Sequence, residues 1–126
     1  MSNFLLVAFG GSIGAFTRYF FYLVSKNLFS PNYIFINTLI INIIGSFLIG
    51  YLIFLLENKS FSQDFLKYFF IIGILGSFTT FSAFSLEAID LLVNKRFLIA
   101  FFYIFLSLFL CLIFTFLGLN FNKLVN

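Results

Sequence analysis

Polar residues recur at helical spacing inside segments that are otherwise almost wholly apolar. Thr38, Asn42, Gly45 and Ser46 lie at positions i, i+4, i+7 and i+8, so they share one face of the second apolar segment. The amide of Asn42 offers N–H donors and a carbonyl acceptor. Within a membrane such an amide either fastens two helices together or donates an N–H to an anion, and the sequence leaves both roles open.

A second polar face lies on the last apolar segment, where Tyr103, Ser107 and Cys111 repeat every four residues and Thr115 follows one turn later. Their polar groups either bond back to the preceding turn of the helix or line a polar path. Arg18, in the first segment, has a permanent charge that costs about 2.5–3.5 kcal/mol at the centre of a membrane helix. It is either a topological anchor at the interface or an attractor for anions at the mouth of a pore.

The stretch GILGSFTTFSAFSLE, residues 73–87, places helix-weakening residues in the middle of the third apolar segment. Gly73 and Gly76, followed by Thr79 and Thr80, predict an interrupted helix. At membrane depth a broken helix is tolerated only where protein, ions or water satisfy the freed backbone groups. Such breaks mark ion sites in transporters. Carbonyl groups at the break favour a cation, whereas amides and hydroxyls favour an anion.

Two aromatic and two acidic residues follow the break. Phe81 and Phe84 are three residues apart on one helical face, and the positive edges of their rings can face an anion. Glu87 and Asp90 have the same spacing and could form a carboxylate pair for acid–base chemistry. With basic residues close by, they are more simply interfacial anchors or salt-bridge partners. The chain has no His and one Cys, which excludes a His-based triad and a His/Cys metal cluster, so we expect no enzyme.

The segments that must position these residues are membrane-spanning helices. The 126 residues are 63% hydrophobic and 9% charged, with a mean hydropathy of +1.17. We therefore predict an all-α membrane protein with a single integral membrane domain, residues 1–126. At about 20 residues for each crossing, four helices are expected at roughly 4–24, 33–56, 67–93 and 97–119. The basic residues are scattered at the ends of these helices, so we expect no nucleic-acid partner.

Short connectors at residues 25–32, 57–66 and 94–96 force neighbouring helices to run antiparallel. Basic residues are balanced between the two membrane faces. One face has Lys59, Lys67 and Lys123, and the other has Lys26, Lys95 and Arg96, with Arg18 toward it inside the first helix. An excess of Lys and Arg normally fixes orientation, so its absence indicates a chain that inserts both ways. Two oppositely inserted copies could then pair as an antiparallel dimer.

Small residues at helical spacing agree with close helix packing. The pairs are Gly10 with Gly14, Gly11 with Ala15, and Ser46 with Gly50. Such pairs allow helix backbones to approach closely in lipid. The sequence does not say whether they pack two subunits together or two helices of one subunit.

Three of these stretches together resemble the CrcB/Fluc family of fluoride ion channels. They are GGSIGAFTRY at 10–19, NTLIINIIGSFLIGYL at 37–52 and GILGSFTTFSAFSLE at 73–87, and Tyr103 with Ser107 extends the likeness to the fourth helix. The resemblance implies a dual-topology homodimer in the cell (plasma or inner) membrane, in which two antiparallel four-helix subunits enclose two fluoride pores. Such a protein exports fluoride passively and relieves its toxicity.

The resemblance also implies roles for individual residues. It assigns seven residues to the anion path, namely Asn42, Phe81, Phe84, Tyr103, Ser107 and Ser82 in the pore and Arg18 in its vestibule. The backbone carbonyls of Gly76 and Thr79, two from each subunit, would hold a structural sodium ion at the centre of the dimer.

The chain departs from the family pattern at three positions. Cys111 stands where the polar track often has a hydroxyl, Ala83 replaces a common Thr or Ser between the two phenylalanines, and Asn37 takes a place more often occupied by Gly. Two other functions remain as alternatives. A small proton-coupled multidrug exporter needs a titratable carboxylate deep in its first helix, which this chain lacks. A non-transporting membrane scaffold would leave the polar faces on three helices unexplained.

Overall fold

The computed structural model describes residues 2–57 and 62–125, and helices make up nearly all of both stretches. Four helical segments are long and apolar enough to cross a membrane, as the sequence predicts. The elements in chain order are α1 (Asn3–Leu28), a 3₁₀ turn (Pro31–Tyr33), α2 (Phe35–Glu57), a π-helix (Phe65–Leu75), α3 (Gly76–Phe78), α4 (Phe81–Val93), α5 (Phe97–Leu119) and the short α6 (Phe121–Val125). The third membrane segment, Phe65–Val93, therefore contains three of these elements.

The first helix is longer than predicted, since α1 ends at Leu28 rather than near residue 24. Ser25 is buried and donates its hydroxyl to the Tyr22 carbonyl at 2.8 Å, and the Phe29 N–H still bonds to the Ser25 carbonyl at 2.8 Å. Pro31 begins the 3₁₀ turn that precedes α2. Lys59, which entered the count of basic residues, lies outside the described residues.

Glycines set how closely the helices approach each other. α1 packs along the π-helix, and a Cβ on Gly14 would overlap the backbone carbonyl of Ile74. α2 packs along α5, and a Cβ on Gly50 would overlap the carbonyl of Thr115. The small-residue positions at 10, 14 and 50 therefore pack helices within one subunit, which is one of the two alternatives that the sequence left open.

Polar contacts fasten the end of the bundle where the two described connectors meet. Arg96 donates to the Asn32 carbonyl at 2.6 Å, and its guanidinium lies 5.1 Å from the centre of the Tyr33 ring. This links the α4–α5 turn to the connector between α1 and α2. A buried apolar cluster near this end includes Phe84, Leu91 and Tyr103. The cluster fixes α4 against α5, so the first residues of α4 have a rigid support.

Candidate functional site

The backbone of the third membrane segment leaves helical geometry at two residues. Thr79 has φ −78° and ψ 156°, and Thr80 has φ −150° and ψ 119°, both in the extended region. The Thr79 N–H still bonds to the Leu75 carbonyl at 3.1 Å, so regular bonding continues up to Thr79. The Thr80 hydroxyl then accepts the Ala83 N–H at 3.2 Å and caps the start of α4.

Asn42 of α2 satisfies the backbone groups of Thr80. Its Oδ1 accepts the Thr80 N–H at 2.9 Å, and its Nδ2 donates to the Thr80 carbonyl at 3.0 Å. This is the helix clamp that the sequence offered as one role for Asn42. One of the two Nδ2 hydrogens makes that bond, which leaves the other to serve as a donor.

A cavity of about 430 Å³, here called the central cavity, opens beside the clamp. Its lining includes Asn42 and Ser46 from α2, Phe81 and Phe84 from α4, and Ser107 and Cys111 from α5, as well as Gly76 and Thr79. The structure thus brings together four of the predicted pore residues and both residues predicted to offer carbonyls to a cation. The sequence predicts the two polar faces separately, and the fold places part of each against one space, namely Asn42, Gly45 and Ser46 of the first face and Ser107 and Cys111 of the second.

Ser107 is the unusual member of this lining. It is only 6% exposed, and among the described residues its Oγ is the one buried side-chain oxygen or nitrogen without a hydrogen-bond partner. Helical hydroxyls normally bond to the carbonyl one turn back, as Thr115 does to Cys111 at 2.9 Å on the same helix. A buried hydroxyl without a hydrogen-bond partner lowers the stability of the fold. The Ser107 hydroxyl is therefore well suited to form a hydrogen bond with a polar ligand or ion in the cavity.

The two phenylalanines of α4 occupy different surroundings. Their ring centres are 5.3 Å apart, but Phe84 is 8% exposed whereas Phe81 is 71% exposed. Phe84 packs against the Tyr103 ring with a centre distance of 5.4 Å. Phe84 therefore belongs to the interior of this subunit, whereas most of the Phe81 ring faces outward.

Tyr103 lines neither the central cavity nor the cavity around Arg18 described below. Its hydroxyl donates to Glu87 Oε2 at 2.6 Å, and Thr38 donates to Glu87 Oε1 at 2.8 Å. Glu87 thus accepts hydrogen bonds from two other helices, a role that its spacing to Asp90 does not predict. Asp90 is exposed and accepts from the Asn94 amide at 3.2 Å at the end of α4.

We expect Tyr103→Phe to lower the stability of the folded protein by about 1–2 kcal/mol, because Glu87 loses one of its two donors while the aromatic packing is kept. Denaturant unfolding in detergent, followed by circular dichroism, measures the change. Tyr19→Phe is the matched control, since Tyr19 is 57% exposed and its variant should unfold as the wild type does. Equal stability of all three proteins would contradict the role given to this hydrogen bond.

A second cavity of about 510 Å³, here called the arginine cavity, contains Arg18 and Ser82. The Ser82 hydroxyl lies 3.2 Å from the Thr80 hydroxyl. Thr80 lines both the arginine cavity and the central cavity, so this extended residue before α4 belongs to the wall of each. Of the three departures from the family pattern, Ala83 and Asn37 line the arginine cavity, and Cys111 lines the central one.

Four helices that are long and apolar enough to cross a membrane define a small polytopic membrane protein. The chain belongs to the CrcB family, whose profile, described as "CrcB-like protein, Camphor Resistance (CrcB)", matches residues 5–119. This is a family of channels and not of enzymes.

Curated relatives agree over almost the full length of the chain. A protein of Campylobacter hominis named "Fluoride-specific ion channel FluC" is 40% identical over 97% of this chain and 96% of its own. Proteins of the same name from Agrobacterium fabrum and Flavobacterium psychrophilum are each 41% identical over 98% of both chains. The resemblance seen in the sequence motifs is thereby confirmed.

Proposed function

We propose that this chain is a fluoride-selective ion channel that exports fluoride passively across the cell membrane and so relieves fluoride toxicity. The relatives' names support fluoride as the ion. The structural observation on which the proposal depends is the buried Ser107 hydroxyl, which has no partner among the described residues and lies on the wall of the central cavity. A membrane potential that is negative inside drives an anion outward by about 2.3 kcal/mol per 100 mV.

The central cavity offers donors suited to a small, strongly hydrated anion. A selective path must replace water with closely placed donors, yet bind weakly enough to release the ion. The Ser107 hydroxyl and the second N–H of Asn42 supply hydrogen bonds, and the ring edges of Phe81 and Phe84 supply positive electrostatic potential. The arginine cavity, with Arg18 and Ser82, serves as the vestibule from which fluoride reaches these groups. Tyr103 stays a predicted path residue, although its hydroxyl donates to Glu87.

We propose further that two oppositely inserted copies of this single membrane domain form a homodimer with two pores. Two features of the subunit support a partner at the central cavity. Phe81, on its wall, is 71% exposed. Among the described residues outside its own helical turn, a Cβ on Gly76 would meet one heavy atom within 4 Å, the Ile71 carbonyl oxygen at 3.8 Å. Packing inside the subunit therefore does not explain the glycine at position 76, whereas a close approach by a second copy would.

A structural sodium ion at the dimer centre fits the residues of the break. In a continuous helix the Gly76 carbonyl would accept the Thr80 N–H, but that N–H bonds to Asn42 at 2.9 Å. The Gly76 carbonyl is thus free of its helical donor, and Thr79 follows in extended conformation. Carbonyl oxygens suit a hard cation. Gly76 and Thr79 of each copy would hold the ion through their carbonyl oxygens. The positive charge of the ion would attract the carbonyls of both copies and so stabilise the dimer.

We expect Gly76→Ala to weaken dimerisation at least tenfold, an increase of about 1.4 kcal/mol in the free energy of association. The methyl group fits within the subunit, and alanine favours helix by about 1 kcal/mol, so the subunit itself should not lose stability. Energy transfer between labelled copies, measured as the protein is diluted into lipid, gives the association constant. A variant that dimerises as tightly as the wild type would contradict a close approach at Gly76.

The channel function is tested by efflux from liposomes that contain the purified protein, with a fluoride electrode and a parallel chloride trace. Rapid loss of fluoride without loss of chloride supports the proposal. Fluoride retention by liposomes with verified dimers would refute it. A proton gradient that drives uptake of a cationic drug would instead favour a proton-coupled multidrug exporter, and absence of any transport would favour a membrane scaffold.

Cys111 allows a direct test of the central cavity, because it is the only cysteine in the chain and lies on the cavity wall. Its thiolate attacks the sulfenyl sulfur of methyl methanethiosulfonate, forms an S–S bond and releases methanesulfinate. We expect the added thiomethyl group to lower fluoride efflux at least fivefold, since it occupies space beside Ser107. Cys111→Ser is the control and should resist the reagent. Unchanged efflux from protein whose modification is verified by mass would contradict a path through this cavity.

A further inference from the structure

We infer that Asn42 is a positioning residue for the cation site, because it keeps the Gly76 carbonyl free to bind sodium. The inference rests on the sodium site proposed above. Regular bonding reaches Thr79, whose N–H bonds to Leu75 at 3.1 Å, and stops at Thr80, whose N–H bonds to Asn42 at 2.9 Å. The side chain of α2 therefore takes the donor that a continuous helix would deliver to Gly76.

The second bond of Asn42 fixes the direction of the break. Its Nδ2 donates to the Thr80 carbonyl at 3.0 Å, the carbonyl at which the first turn of α4 begins. With one amide held to both the N–H and the carbonyl of the same residue, Thr80 has little freedom to rotate back into helical geometry. The Asn42 side chain thus replaces the Gly76 carbonyl as the acceptor of the Thr80 N–H and adds a donor to the Thr80 carbonyl.

α2 also accommodates the residue before Thr80. A Cβ on Gly45 would overlap Cγ2 of Thr79, so the missing side chain at Gly45 makes room for the Thr79 methyl group. Asn42 and Gly45 lie about one turn apart on α2 and hold two successive residues of the break. The carbonyls of Gly76 and Thr79 are therefore placed by the second helix and not by the third segment alone.

The same side chain also faces the central cavity, where it is proposed to donate to fluoride. Asn42 then acts on both ions. Its Oδ1 and one N–H bond to the backbone of Thr80, and its other N–H is proposed to bond to the anion.

Substitutions at position 42 can separate these two roles. Aspartate keeps an oxygen for the Thr80 N–H but has no N–H for the Thr80 carbonyl or for the anion, whereas alanine provides neither group. If Asn42 is lost, the Thr80 N–H must find another acceptor in the membrane, and the Gly76 carbonyl is its acceptor in a regular α-helix.

The test is the dependence of thermal unfolding on sodium concentration, measured on the purified dimer in detergent with N-methylglucamine as the replacement cation. A cation that binds only the folded dimer raises the unfolding temperature, and the concentration for half of the rise reports its affinity. We expect Asn42→Ala to raise that concentration about tenfold or more and Asn42→Asp to leave it at or below the wild-type value. Ser107→Ala is the matched control, because it alters the central cavity without touching the break.

The outcomes separate this inference from the proposed function. Equal half-maximal sodium for Asn42→Ala and wild type would overturn the role of Asn42 and leave the sodium site intact. No response of the wild type to sodium would overturn the sodium site and this inference, while fluoride efflux from the same preparation would decide the channel function independently. If Asn42→Ala does not fold, Asn42→Asp becomes the test of this inference. Aspartate retains an oxygen that can accept the Thr80 N–H, so loss of the sodium response in this variant would contradict the role given to that oxygen.

Discussion

Replacing Asn42 with aspartate is expected to lower fluoride efflux by at least about 100-fold while the dimer stays folded. An ionised carboxylate roughly 4 Å from a passing anion repels it by about 4 kcal/mol at an effective dielectric constant of 20, and each 1.4 kcal/mol is a factor of ten. A protonated carboxyl group would also fail to bind the anion. Its one O–H would donate to the Thr80 carbonyl, which in the wild type accepts from Asn42 Nδ2 at 3.0 Å. Neither form offers the second donor that asparagine has.

Efflux from liposomes measures the change, and Asn27→Asp provides the matched control. Asn27 is exposed near the end of α1, so the same exchange there should leave fluoride efflux at the wild-type rate. The dimer content of each preparation is verified before reconstitution. Fluoride efflux by Asn42→Asp at more than a tenth of the wild-type rate would show that the path does not pass the Asn42 amide.

The sequence predicts the four spanning helices and their polar faces because both depend on local pattern. Composition and length alone require membrane helices, and the spacing of Thr38, Asn42 and Ser46 places them on one face whatever they contact. The low helix propensity near Thr79 is also a local feature, since glycine and threonine lower it whatever they contact. These parts of the site could therefore be stated before any tertiary structure.

Two features of the structure have no such local signal. Between Phe65 and Leu75 nearly every residue is apolar, so no polar face distinguishes the wide π-helical turn from an α-helix. Glu87 bonds to Thr38, which is 49 residues away, and to Tyr103 on another helix. Its spacing to Asp90 suggested a pair at the interface, but the rotation of α4 turns Glu87 inward. Only the packing of α2, α4 and α5 decides this.

The second large effect is expected at the crossing of α1 and the π-helix, where Gly14→Ala should lower stability by about 2 kcal/mol or more. A Cβ on Gly14 would overlap the backbone carbonyl oxygen of Ile74 and lie 2.9 Å from its carbon. Backbone atoms cannot rotate away as side chains do, so the two helices must separate and lose contact along their length. The loss would occur although alanine favours the helical state by about 1 kcal/mol over glycine.

Gly11 provides the matched control for Gly14→Ala. It lies three residues earlier on the same helix, and a Cβ there would approach only the Ser77 hydroxyl, at 3.2 Å. Since a serine side chain can change rotamer, Gly11→Ala should unfold within about 0.5 kcal/mol of the wild type. Unfolding in detergent, followed by circular dichroism, compares the two variants directly. Equal stability of Gly14→Ala and Gly11→Ala would mean that the helices can shift apart at little cost, and that the glycine at position 14 serves a partner outside this subunit instead.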